Sequence, residues 1–75
     1  MTALFTTHHY TATFYTISFI ANAWRLVEWQ FGQAIGHCDY DGIFEATLAV
    51  VGNGMRWASL GERAIFEQDL ILASL

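Results

Sequence analysis

Asn22-Ala23-Trp24-Arg25-Leu26-Val27-Glu28-Trp29-Gln30-Phe31-Gly32-Gln33-Ala34-Ile35-Gly36 occupies the middle of the chain, and its assignment constrains everything on either side. Trp24, Val27, Phe31, Ala34, Ile35 and, just beyond it, Cys38 recur at helical spacing and form one apolar stripe. Asn22 suits an N-cap and Gly36 a C-cap. The pattern predicts a central helix over about 22–36. Gly32 would sit inside that helix at a cost of about 1 kcal/mol relative to alanine. Such a cost implies close approach of another backbone. Trp29 lies off the main stripe, either as a core residue of a wrapped helix or as an exposed anchor for a partner.

Upstream, Thr6 to Phe19 is rich in β-branched and aromatic residues and predicts an N-terminal strand. Through Tyr10 to Ile17, Tyr10, Ala12 and Phe14 alternate with Thr11, Thr13, Tyr15 and Ile17. Both sides carry rings, so the strand is either covered on both faces or open on one for a partner. Downstream, Asp39-Tyr40-Asp41-Gly42 predicts a turn. Asn53-Gly54 is a strong hairpin signal and favours a β-hairpin over about 46–60, with Trp57 on the returning strand. The competing reading makes 42–52 helical, capped by Asp41 and stopped by Gly52 with Phe44, Leu48 and Val51 inward, in a mostly α chain. Ser59-Leu60-Gly61-Glu62 fits a capping box. With Phe66, Leu70 and Ala73 at i, i+4 and i+7, it predicts a C-terminal helix over about 60–74. The run Leu70–Leu75 is apolar almost all round, so it should be buried in the domain or against a second copy. Together these elements predict one α+β domain spanning 1–75.

A chain of 75 residues that is 55% hydrophobic and 16% aromatic carries more apolar surface than a domain of this size easily hides. The net charge is −4 and is unevenly placed. Arg25 and Glu28 cancel in the first half. Asp39, Asp41, Glu45, Glu62, Glu67 and Asp69 face only Arg56 and Arg63 in the second. There is no lysine, and three scattered arginines cannot displace enough counterions to hold a duplex, which argues against direct nucleic-acid binding. The most apolar stretch, Tyr10–Trp24, is 15 residues and too short for a spanning helix. No basic n-region precedes it, so the expectation is a cytoplasmic protein without a membrane partner.

No catalytic or cofactor motif is present. His37-Cys38-Asp39-Tyr40-Asp41 concentrates potential metal ligands, but Cys38 is the only cysteine and adjacent ligands chelate one ion poorly. The expectation is a polar turn with Cys38 as a small buried residue, and no metal. His8-His9 suits an exposed strand end better than a ligand pair. Asp39 and Asp41 beside Cys38 disfavour a reactive thiolate, and paired carboxylates need a cleft that small domains rarely enclose.

The reading that remains is a non-enzymatic acidic interaction protein. It would inhibit or regulate a larger, nucleic-acid-handling protein by covering a basic surface. Its gross properties are shared with acidic single-domain inhibitors such as the anti-CRISPR and anti-restriction proteins of phages and mobile elements. The expected contact residues are Asp39, Asp41, Glu45, Glu62, Glu67 and Asp69, with Trp29 and Trp57 as anchors. A structural homo-oligomer subunit is the alternative, and a small metal-binding or thiol protein the third.

Overall fold

Leu4 and Phe5 are sequence neighbours and both almost fully buried, which a strand allows only where both faces of its sheet are covered. The computed structural model describes residues 3–7 and 13–75 and shows that arrangement. The chain runs β1 (Ala3–Thr6), β2 (Thr13–Ile20), β3 (Ala23–Gln30), β4 (Gln33–Tyr40), α1 (Ile43–Val51), β5 (Arg56–Trp57) and α2 (Leu60–Ala73). The strands form one antiparallel sheet in the order β4-β3-β2-β1-β5.

One face carries Phe5 and Ile17, packed with Ala46 and Val50 of α1 and flanked by Tyr15, Trp24, Leu26 and Tyr40. The other carries Leu4 and Phe14, packed with Phe66 of α2 and flanked by Trp29 and Leu70. The fold is thus α+β with three layers, a helix on each side of the sheet. Thr6 and Thr16 are buried on the α2 face. Thr6 Oγ1 donates to Thr13 O at 2.9 Å, and Thr16 Oγ1 accepts from Trp29 Nε1 at 2.9 Å. The strand expected over 6–19 corresponds to β2, covered on both faces except at its exposed end Phe19–Ile20, and β1 is a separate strand that ends at Thr6. The part of that expectation on Tyr10–Ala12, with His8 and His9, lies outside the described residues.

The central helix expected over 22–36 is instead the hairpin β3–turn–β4. Ala21 and Asn22 have φ of 53° and 64°, and Phe31 and Gly32 have φ of 51° and 78°. Both are two-residue turns with positive φ at each position, the geometry that matches strand twist. Asn22 therefore serves a turn, where asparagine tolerates the left-handed region. The helical stripe was misleading because β3 is apolar on both sides. Trp24 and Leu26 face α1, Val27 and Trp29 face α2, and two-sided burial erases the period-2 signal. The close backbone approach expected at Gly32 is real: a Cβ there would lie 2.2 Å from Asp69 O of α2.

The hairpin expected over 46–60 is also overturned. Ile43–Val51 is helical with Gly52 as its C-cap, the stop the helical alternative named, and Asn53-Gly54 completes the turn that closes it. Gly54, at φ 80°, donates to Val51 O at 3.0 Å, and Met55 N donates to Val50 O at 3.3 Å. This is Schellman-type closure, with Val50 and Met55 in the same apolar cluster. The Asn53 side chain donates to Ala49 O. Left-handed glycine is demanded equally by a hairpin turn and by a helix end, so the dipeptide alone does not distinguish them. The N-cap of α1 is Gly42 rather than Asp41. Its outer residues Phe44, Leu48 and Val51 point away from the core, contrary to the inward direction the helical alternative implied.

The expected C-terminal helix and capping box are present. Glu62 N donates to Ser59 Oγ at 3.2 Å, and Ser59 N donates to Glu62 Oε1 at 2.9 Å. Burial of the final apolar run is met only in part. Leu70 is half-buried, while Ile71 and Leu72 are exposed.

Candidate functional site

The carboxylates expected to form one acidic face are dispersed by the fold. Asp39 on β4 is held by Arg25, whose Nε and NH2 donate at 2.8 and 3.1 Å. That hydrogen-bonded pairing keeps the Asp39 carboxyl below its ordinary range. Glu62 accepts from both terminal nitrogens of Arg56 at 2.7 Å, joining β5 to the first turn of α2. Asp69 is half-buried beside the β3–β4 turn, with Oδ2 buried and unpartnered among the described residues. Glu67 lies on the α2 side of the sheet. Asp41 and Glu45 flank the start of α1 on the opposite side. Both are exposed and without an ion pair among the described residues.

The Arg56–Glu62 contact has a pH signature. Arg56, followed by the Ser59 amide, holds the Glu62 carboxyl at about 2, below its ordinary 4.5. Because the folded value is the lower one, the stabilisation is complete above about pH 4.5 and is lost as pH falls towards about 2. Glu62→Gln should therefore lower the melting temperature at pH 7, and its difference from wild type should close on acidification. A difference that does not change with pH would contradict the contact. This carboxylate serves the fold and is not free for a partner.

The two tryptophans separate. Trp29 belongs to the core, half-buried edge-on to Phe66 at 5.6 Å with its indole N–H satisfied by Thr16. Trp57 is 65% exposed on the short edge strand β5, with its ring 4.4 Å from Phe5. Beside it, Phe5, Ile17, Trp24, Ile43 and Thr47, with Arg63, line an open and mostly apolar cavity of about 440 Å³. Ile43 links this cavity to the outer side of α1, where Phe44 is 72% exposed and Leu48 and Val51 are each 53% exposed.

That outer side was not expected as a site. The sequence of α1, Ile43-Phe44-Glu45-Ala46-Thr47-Leu48-Ala49-Val50-Val51, has one charged residue and no polar face. A helix apolar all round is normally buried all round. Here Ala46 and Val50 alone are fully buried. In the helical reading of 42–52 the missing polar face is the legible signal that an apolar side stays uncovered.

Cys38 is exposed on β4 and not buried as expected, because β4 is an edge strand that neither helix covers fully. Among the described residues no group of three or more His, Cys, Asp and Glu side chains gathers as a metal site. No helix there is long and apolar enough to cross a membrane.

Fold and surface together define a three-layer α+β domain with a solvent-facing apolar helix. Comparison with protein-family models, curated proteins and solved structures found no match to this chain.

Proposed function

We propose that the protein is a non-enzymatic interaction domain that docks a larger protein through the outer side of α1 and the adjoining Trp57 cavity. The observation that carries this reading is the unpaired apolar side of α1: Phe44, Leu48 and Val51 exposed on a helix with no polar face. Contiguous exposed apolar surface of this kind marks interaction sites. Ile43 and Trp57 extend it into a concavity able to take an apolar side chain from the partner. Asp41 and Glu45 add negative charge at one end. The partner therefore presents an apolar surface rimmed by arginine or lysine. Blocking such a basic rim is how an acidic inhibitor of a nucleic-acid-handling protein, of the anti-CRISPR kind, would act. The reading places the protein in the cytoplasm, where an exposed thiol such as Cys38 stays reduced.

The test compares capture from the native host by wild type, by Phe44→Ser/Leu48→Ser and by Asp41→Lys/Glu45→Lys. The protein retained by wild type should be lost by on the order of tenfold or more with the apolar pair. It should be weakened by the charge pair and by added salt. All four positions are exposed, so the variants should melt close to wild type. Equal retention of the same partner by both variants would overturn the proposal.

A further inference from the structure

β4 forms one edge of the sheet, and seven of its eight residues are exposed. Proteins normally blunt such an edge with lysine, proline, a bulge or extreme shortness. β4 contains neither lysine nor proline. Its one irregularity is the register shift opposite Glu28/Trp29, which leaves Ile35 between the pairs Glu28–Gly36 and Trp29–Ala34. Beyond it, Gly36 to Tyr40 pair regularly with Glu28 to Trp24. This regular run of five residues is centred on Cys38.

We infer that two copies of this chain pair antiparallel through β4, about a two-fold axis at Cys38, joining the two sheets into one. The axis stands perpendicular to the sheet, so each face stays on its own side. The register sets Cys38 opposite Cys38 of the second copy, His37 opposite Asp39, and Gly36 opposite Tyr40. Each pairing is chemically matched. The Tyr40 ring covers the bare backbone of Gly36, a cross-strand contact that compensates strand glycines. The His37 imidazole donates to Asp39, whose carboxylate Arg25 already orients at 2.8 Å and which retains acceptor capacity. The symmetry makes both contacts twice. Centres one residue to either side are poorer, setting His37 against its own copy or Asp39 against its own copy. Like charges directly opposite are destabilising.

Cys38, exposed and the only cysteine, reports the register. Residues directly opposite in an antiparallel pair have Cα atoms roughly 4.5–5.5 Å apart, inside the range a disulfide spans. Diamide removes two electrons and two protons from the two thiols, forming the disulfide and the reduced hydrazine. Non-reducing gels of the full chain should show rapid conversion to a covalent dimer. Gly36→Cys/Cys38→Ser and Tyr40→Cys/Cys38→Ser place the thiols about 13 Å from their own copies, four residues out of register. They should cross-link at least tenfold more slowly. The triple variant Gly36→Cys/Cys38→Ser/Tyr40→Cys should regain fast cross-linking.

Without oxidant, sedimentation of Cys38→Ser should show a reversible dimer, weakened on the order of tenfold by His37→Glu. Equal cross-linking rates at 36, 38 and 40, or a Cys38→Ser protein that stays monomeric at high micromolar concentration, would overturn the inference. The α1 surface is separate from this edge, so Phe44→Ser/Leu48→Ser should dimerise as wild type does.

Discussion

Gly32→Ala is expected to leave the protein folded but with a grossly lowered urea midpoint. Gly32 is the second residue of the turn joining β3 to β4, at φ 78°, where alanine is strained. Strain alone costs on the order of 1–3 kcal/mol. The added methyl would also meet Asp69 O at 2.2 Å, Asp69 C at 2.5 Å and Leu70 N at 2.9 Å. These are backbone atoms inside α2, and no rotamer change moves them. The hairpin would have to lift from the helix, loosening the Trp29–Phe66 edge contact and the packing of Leu70. A total of about 3 kcal/mol or more follows. A chain of this length holds only roughly 4–11 kcal/mol of stability. Gly36→Ala supplies the control: a Cβ there meets nothing within 4 Å, so its urea midpoint should stay near wild type. Equal midpoints for the two variants would show that the turn does not seat on α2.

Phe5→Ala should be as damaging through a different route. Phe5 is 1% exposed and lies where β1, α1 and β5 converge. Its ring packs with Ile17, Ala46 and Val50 and sits 4.4 Å from Trp57. Truncating a buried phenylalanine costs about 3–5 kcal/mol, the transfer term plus the cavity left behind. The site cannot collapse easily, because a sheet supports it from below and the open cavity beside Trp57 offers no filling side chain. Thermal unfolding followed by far-UV circular dichroism should show the loss. Phe44→Ala, equally drastic in size but pointing outward, should change stability by only about 0.5 kcal/mol. If the two alanine variants melted together, the orientation of α1 would be wrong.

Legibility in the sequence followed local chemistry. The capping box at Ser59 and Glu62 needs only four consecutive residues, and α2 was readable with its boundaries nearly right. The strand character of the N-terminal segment was readable from β-branched and aromatic composition, and the apolar surplus pointed to exposed apolar surface. The candidate surface was less legible. Trp57, Asp41 and Glu45 are named from the sequence, but Phe44, Leu48 and Val51 are not, because 46–60 looks like a hairpin and the helical alternative turns them inward. The expected acidic face failed as a continuous surface because charge counts along a chain do not say which carboxylates an arginine will claim. Arg25 takes Asp39 and Arg56 takes Glu62 across strand and turn contacts.

By itself, then, the sequence determined the α+β class, the C-terminal helix, the excess of negative charge in the second half and the presence of more apolar side chains than the interior holds. Only the tertiary structure decided that residues 23–40 are two strands, that Asn53-Gly54 ends a helix, and that Trp29 is core while Trp57 is surface. The physical reason is the same in each case. A sheet covered on both faces puts apolar residues on both sides of a strand, and a left-handed turn residue closes hairpins and helices alike. Local pattern leaves both readings open, and the packing of α1 and α2 on opposite faces selects one.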